Sequence, residues 1–300
     1  MSPAGVGVAV DVEGRTLRLT HLDKVLYPAA GTTKAEVLQY YAHVAPVLLP
    51  QLRDRAVTRI RWPHGVGGES FFEKNAPAGT PSWVRTVEVA TTGGRGAAGG
   101  TLVFPVCDDL ATLTWLANLS ALELHVHQWR VSPTGHLRRP DRLVIDLDPG
   151  APAGLAEGAR GALLAREVLG ERGLTCTPVA SGSKGLHLYA PLPEAADAGP
   201  GVALAKEGAA AIQRRAPSLV TATMTRSRRA GKVFVDWSQN SPSKTTLVPY
   251  SLRGRARPPA AAPLTWDEVA AGAEDELALE QFTFPQVLTR LGEQGDLFAW

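Results

Sequence analysis

An α/β fold is the class this sequence predicts, on three observations. Apolar strand-like runs alternate with helix-like runs from about residue 142 to 237, in the order strand, helix, strand, helix, strand. The run Leu143-Val144-Ile145-Asp146-Leu147-Asp148-Pro149-Gly150 reads as a short buried strand closed by a Pro-Gly turn. The 300 residues, 44% hydrophobic, suffice for one large domain or two small ones.

The elements follow in order. Residues 1–14 read as a loose start, and Leu17 and Leu19, alternating with Arg18 and Thr20, mark a first strand. His21 to Pro28 is a compact turn. Val37, Leu38, Tyr40, Tyr41 and Val44 recur at helical spacing up to about Leu49-Pro50, and Thr33 with Glu36 has the form of a capping box. Lys24 and Lys34 flank that helix start. A helix N-terminus with lysines beside it is a seat for phosphate, though two solvated lysines look the same in sequence. Val57 to Trp62 reads as a strand with Arg59 and Arg61 on one face, and Phe71-Phe72 follows among charges, as either base-stacking or core aromatics.

Trp83–Val89 and Thr101–Val106 read as strands joined by the glycine-rich Thr91–Gly100, which lacks the spacing of a P-loop. Asp108-Asp109 caps a helix through Leu110, Leu113, Leu116 and Ala117. Strand alternation from Glu123 puts His125 and His127 on one face, as core histidines or a metal pair. Beyond the acidic strand, Ala153–Leu169 reads as a helix, Cys176–Val179 as a strand and Val202–Ile212 as a helix. Val233–Trp237 reads as a strand containing Asp236. Residues 257–263, rich in Pro and Ala, read as a linker to two small helices, Thr265–Ala273 and Phe284–Leu291.

Net charge is only +2, so bulk charge announces no nucleic-acid binder, but basic residues cluster locally. Arg53, Arg55, Arg59 and Arg61 form one group; Arg226, Arg228, Arg229 and Lys232 a second; Arg253, Arg255 and Arg257 a third. Such clusters are the expected footprint of phosphate contacts, or simply a solvated surface. Two cysteines, Cys107 and Cys176, are too few for a disulfide framework and form no C-x-x-C pair. No apolar run reaches membrane length and no signal pattern opens the chain, so a cytoplasmic location without membrane contact is the expectation.

Residues two apart on a strand share a face, so Asp146 and Asp148 project side by side. Adjacent carboxylates repel and are costly to bury unpaired; a hard cation such as Mg²⁺ or Mn²⁺ relieves both problems. Aspartates solvated in a turn are the plainer alternative. Ser181-Gly182-Ser183-Lys184-Gly185 offers hydroxyls, a lysine and close-approach glycines to phosphate oxygens. Three carboxylates plus a phosphate loop are the equipment for two-metal phosphoryl or nucleotidyl transfer.

Asp146-Leu147-Asp148-Pro149-Gly150, Ser181-Gly182-Ser183-Lys184-Gly185-Leu186-His187 and Val235-Asp236-Trp237-Ser238-Gln239-Asn240 resemble, in order and spacing, three motifs of one family. It is the polymerase domain of bacterial ligase D, within the archaeo-eukaryotic primase superfamily, and the likeness runs from about Leu17 to Pro285. The resemblance implies a primase-like core with a mixed or antiparallel sheet flanked by helices. It implies a single domain over 1–300, with an N-terminal module at about 15–135, a palm-like catalytic module at about 136–257 and a C-terminal extension at 258–300. Asp146, Asp148 and Asp236 match the ligands of two Mn²⁺ or Mg²⁺ ions. Ser181, Lys184, His187, His125, Arg229, Gln239 and Arg253 match nucleotide contacts, with Phe72 of the aromatic pair stacking there. Phe71, with Arg59 and Arg61, falls on the template side, and Lys24 and Lys34 match the grip on a DNA 5′-phosphate.

The implied activity is a template-directed nucleotidyltransferase that extends primers at gaps or broken ends in non-homologous end joining. Its substrates would be nucleoside triphosphates, often with ribonucleotides preferred. With the chain ending at Trp300 the expectation is a free-standing form, with Ku and a separate ATP-dependent DNA ligase as partners. Two positions depart from the family pattern: many relatives carry Asn where this chain has His21, and Lys where it has Ile60. Isoleucine cannot bond a phosphate, so nucleotide or template grip would be weaker unless Arg59 or Arg61 substitutes. Two other classes compete. A haloacid-dehalogenase-like phosphatase shares D-x-D but needs Thr or Val where Gly150 stands, and nucleotide-sugar transferases share D-x-D without the serine loop. A non-catalytic DNA-end-binding module would use the basic clusters alone.

Overall fold

The computed structural model describes residues 7–91, 100–193, 200–298 and 300. Two antiparallel-rich sheets with helices against them carry the chain, as the primase-like resemblance implies. The larger sheet has six strands, in the order Val220–Thr221, Val233–Asp236, Arg142–Pro149, Leu186–Pro191, Thr177–Ala180, Ala262–Pro263. Every neighbouring pair is antiparallel except the first. The smaller sheet runs Thr246–Leu247, Ala121–Val126, Val57–Arg61, Phe71–Glu73 and is antiparallel throughout.

The strand Arg142–Pro149 is central because both its faces are covered. Leu143, Val144, Ile145 and Leu147 have no exposed surface, and the helices Leu155–Gly170 and Pro200–Arg215 lie against it. Helix Lys34–Leu52 opens on the predicted capping box. Glu36 N–H donates to Thr33 Oγ1 at 3.3 Å while Thr33 N–H donates back to the Glu36 carboxylate at 2.7 Å. The helix runs past the expected end at Leu49-Pro50 to Leu52, with both prolines inside it. Asp109 caps Leu110–Asn118 through Thr112 N–H at 2.7 Å. One buried core runs continuously through both sheets, from Tyr41 and Leu124 to Val144 and Val269.

Four readings change. Residues 8–12 are not a loose start but a strand, paired with Arg15–Leu19 across a turn in which Glu13 and Gly14 both take positive φ. The segment read as a linker at 257–263 is largely buried sheet edge. Ala262–Pro263 pairs with Thr177–Ala180, and Pro258 to Leu264 have little exposed surface; proline is tolerated there because an edge leaves its missing N–H unneeded. The strand expected from Trp83 begins at Thr86, after a turn closed by Val84 N–H on Pro81 O at 3.0 Å. Most of the glycine-rich stretch between the two strands of that hairpin, residues 92–99, lies outside the described residues.

The fourth concerns two members of the first arginine cluster, Arg55 and Arg59, which do not face solvent. Arg55 is 1% exposed and forks onto Asp141 at 2.6 and 2.8 Å, with the carbonyls of residues 127–129 around it. Arg59 is equally buried and its Nη2 donates to Glu73 and to the Asn75 carbonyl. Burying a guanidinium is tolerable only with such partners, so these two arginines join chain segments instead of meeting solvent. Both cysteines are buried and unbridged. Among the described residues no helix is long and apolar enough to cross a membrane.

Candidate active site

Register builds the site. Asp146 stands directly opposite Asp236 on one neighbouring strand and His187 on the other. Asp148, two residues on, stands opposite Phe234. Directly paired residues of antiparallel strands share a face, as do residues two apart on one strand, so three carboxylates and an imidazole face the same way. Gly185 lets the serine loop close onto this strand: a Cβ there would fall 2.1 Å from the Leu147 carbonyl oxygen. Gly150 plays the same part for the segment carrying Arg229, whose carbonyl oxygen would lie 2.2 Å from an added Cβ.

The carboxylates are held apart by polar partners. Lys184 Nζ lies 3.2 Å from Asp148 Oδ1 and donates to the Pro149 carbonyl at 3.0 Å. Asp236 Oδ1 accepts from Ser238 N–H at 2.9 Å and from Ser238 Oγ at 2.6 Å. The Gln239 amide bridges Asp236 Oδ2 at 3.1 Å and Asp146 Oδ2 at 3.5 Å. Burial, and then the charges of Asp148 and Asp236, push the Asp146 carboxyl up to about 7. Three like-charged oxygen donors on one face fit a hard divalent cation by chemistry and sign. Among the described residues no set of three or more His, Cys, Asp or Glu side chains is already arranged around an ion position; Lys184, Ser238 and Gln239 hold the oxygens instead.

His187 is buried, its Nε2 3.6 Å from Asp146 Oδ1 and its Nδ1 3.3 Å from the Tyr189 hydroxyl. Burial, then Arg253 and His125, lower its pKa to about 3, so it faces the carboxylates as a neutral ring. Ser181 is buried and its Oγ accepts from the N–H groups of Ser183 and Gly185, both at 3.3 Å, with its own proton still free to be donated. Arg229 stacks on Phe234, its guanidinium carbon 3.5 Å from the ring centroid, and donates to the Met224 carbonyl.

The smaller sheet adds a second set of groups through a residue the sequence reading overlooked. Glu123 is buried, accepts from His125 Nε2 at 2.8 Å and Arg253 Nη1 at 3.1 Å on one oxygen, and from Gly254 N–H at 3.0 Å on the other. Despite its burial, the hydrogen bond from His125 and the charge of Arg253 hold it down at about 2. Glu123 thus aims two candidate nucleotide contacts at once, and only a partner 130 residues away in sequence reveals that. His127 does not join His125: it stacks on Trp129, centroids 4.2 Å apart, with Phe104 edge-on. The metal-pair reading of the two histidines therefore gives way to a core histidine and a pocket histidine.

Asn240, the last residue of the third motif, anchors the third strand end. Its side-chain oxygen accepts from Val144 N–H at 2.8 Å and its amide donates to Val144 O at 2.6 Å, copying a strand partner for the central strand. Asn240→Ala leaves both buried backbone groups unpaired. It is expected to cost about 3 kcal/mol in denaturant unfolding, and an unchanged midpoint and slope would remove Asn240 from this role.

Phe71 and Phe72 lie on the exposed edge strand, 39% and 58% exposed. Ile60 pairs with Phe72 in register and packs on the core. Arg61 donates to Glu73 and to the Leu119 carbonyl, so it and Arg59 clasp the same carboxylate from one strand face. Lys24 Nζ donates to Pro63 O at 3.0 Å and Lys34 Nζ to Thr20 O at 2.7 Å. Burial, then the charges of Lys24 and Arg61, lower Lys34 to about 8. The helix N-terminus beside them does not offer free amides as expected: Lys34 and Ala35 N–H donate to Lys24 O and Leu22 O, and Glu36 N–H to Thr33. The ammonium groups are what remains for an anion.

A family model described as LigD, primase-polymerase domain, matches residues 33–298. The multifunctional non-homologous end joining DNA repair protein LigD of Mycobacterium tuberculosis is 48% identical over 284 residues, covering 93% of this chain and 36% of that protein. The bifunctional non-homologous end joining protein LigD of Bacillus subtilis is 36% identical over 280 residues, 93% of this chain and 43% of its own length. The chain thus spans well under half the length of these relatives. A solved structure, the polymerase domain from Mycobacterium tuberculosis ligase D in complex with DNA, superposes with a TM-score of 0.87 at 48% identity, covering 94% of this chain and 96% of that one.

Proposed function

This chain belongs to the LigD primase-polymerase domain family, and from that premise we propose that it is a nucleotidyltransferase of non-homologous end joining. It adds nucleotides to a primer 3′-hydroxyl at gaps or broken ends. The observation that carries this reading is the register that sets Asp146 against Asp236 and His187, beside the serine loop and Lys184. Asp146, Asp148 and Asp236 would hold two divalent ions, Mn²⁺ or Mg²⁺, which would supply Lewis acidity to the primer hydroxyl and positive charge to the phosphates.

The chain's own groups do the rest. Lys184 moves its charge from Asp148 to the triphosphate, and the Ser181 proton donates to a phosphate oxygen. Arg229 and Arg253 supply fixed positive charge. Gln239 keeps Asp146 and Asp236 in mutual register, and Glu123 holds His125 and Arg253 toward the nucleotide. Phe72 stacks on the incoming base and Phe71 on the template strand; Arg59 and Arg61 act at one remove, through Glu73, by steadying the edge strand that presents both rings. Ku and a DNA ligase activity complete the pathway, and ribonucleotides are the preferred substrates.

Incubation with labelled nucleoside triphosphate and a gapped duplex bearing a 5′-phosphate tests the reading, with ribo- against deoxyribonucleotides and Mn²⁺ against Mg²⁺ as its arms. Primer extension is expected. Phosphate release without extension would identify a hydrolase, and neither activity a binding module. A pull-down on DNA ends that recovers no Ku would remove that partner.

Lys24 and Lys34 take the downstream 5′-phosphate. Because Lys34 is lowered to about 8, its charge is full well below that pH and lost above it. Affinity for a 5′-phosphorylated gap over a 5′-hydroxyl gap should therefore fall between about pH 7 and 9. Lys34→Arg should flatten this dependence. A phosphate preference that stays constant across that range would take Lys34 out of the contact.

A further inference from the structure

A residue far along the chain holds the serine loop from outside. Gly182 N–H donates to Gln281 Oε1 at 2.7 Å, and Gln281 Nε2 donates to the Gly185 carbonyl at 3.0 Å. One primary amide thus spans the loop between the residues that flank Ser183 and Lys184. The amide does both because its oxygen meets the backbone donor and its NH₂ the backbone acceptor. Gln281 also lines a groove of about 400 Å³ that reaches Lys184 and Pro149.

The arm that carries Gln281 is itself rigid. Ala260 N–H donates to Phe282 O at 3.0 Å and Phe284 N–H to Pro258 O at 2.9 Å, with Pro259 bridged to Thr283. Thr283 then caps helix Phe284–Gln294, which buries Phe284 against Tyr40 and Val287 in the core. A side chain mounted on two such braces can impose a conformation on the loop it touches, whereas a side chain on a free tail would follow it.

We infer that Gln281 is a positioning residue of the nucleotide site: it fixes the Ser181–His187 loop in the shape that receives a triphosphate. The inference rests on the reading of that loop as the triphosphate contact. It gives the segment beyond residue 258, expected only as an extension, a part in substrate binding.

Gln281→Met removes both hydrogen bonds at similar volume, and Gln281→Asn keeps the amide but cannot span the gap. In both variants the KM for nucleoside triphosphate should rise about tenfold, with kcat at saturating nucleotide and the Kd for gapped DNA within about twofold of the parent. Hydrogen exchange at the Gly182 amide, measured without substrate, should quicken about tenfold while the melting temperature stays within about 3 °C. Unchanged KM and Gly182 exchange would overturn the inference. So would a joint loss of DNA affinity and melting temperature, which would mark Gln281 as a plain structural contact. If the parent protein extends no primer, the polymerase reading fails, and Gly182 exchange together with Mn²⁺-dependent binding of a non-hydrolysable triphosphate still judges Gln281.

Discussion

Asp146→Ala is expected to lower primer extension at a gap by about 10³-fold or more, because removing one of the three carboxylates that would hold the catalytic ions forfeits several kcal/mol of transition-state stabilisation. The position is the most exacting of the three aspartates. It lies on the central strand between Asp236 and His187, and Gln239 is tied to it as well. Binding to gapped duplex should stay within about threefold of the parent, or tighten, since a negative charge facing a phosphodiester chain has been removed. Extension rates and duplex affinity measured on the same preparations separate the two effects. Extension undiminished by the substitution would place catalysis away from the acidic strand and contradict the assignment of Asp146.

A second large effect concerns stability without metal. The Asp146 carboxyl is raised to about 7 by burial and by Asp148 and Asp236. At acid pH, below the ordinary carboxylate range, folded and unfolded chains both keep this proton and the site costs nothing. Between about pH 4 and 7 the unfolded chain releases the proton while the folded chain retains it, so the unfolded state gains and stability falls with rising pH. Above about 7 both are ionised and the full cost is present. In EDTA, then, the melting temperature of Asp146→Asn should exceed that of the parent by about 5 °C at pH 8 and converge with it near pH 4. Mn²⁺ should restore the parent at pH 8 and do little for the variant. Comparing the two proteins removes titrations they share. A variant that melts below the parent at pH 8 would mean that the three charges are already compensated by Lys184 and Gln239.

Much of the candidate site was legible because strand periodicity is short-range information. Asp146 and Asp148 share a face by spacing alone, and Asp236 and the serine loop stand at ends of runs whose apolar pattern marks them as strands. What escaped depended on partners distant in sequence. Nothing local distinguishes Glu123, which gathers His125 and Arg253, from a surface acid in a strand. Arg55 and Arg59 look like phosphate contacts until Asp141 and Glu73 are seen to occupy them. Residues 257–263 have linker composition, and only pairing with Thr177–Ala180 turns Ala262–Pro263 into sheet. The hairpin at Val8–Val12 was missed because its turn, Glu13-Gly14, lacks the Asn-Gly or Asp-Gly signature.

Anomalous diffraction from crystals grown with Mn²⁺, a gapped duplex and a non-hydrolysable nucleoside triphosphate reaches the central claim most directly. Two manganese peaks should lie among Asp146, Asp148 and Asp236, with the triphosphate against Ser181, Lys184 and His187. Manganese bound away from these aspartates, or a triphosphate seated off the serine loop, would contradict the account.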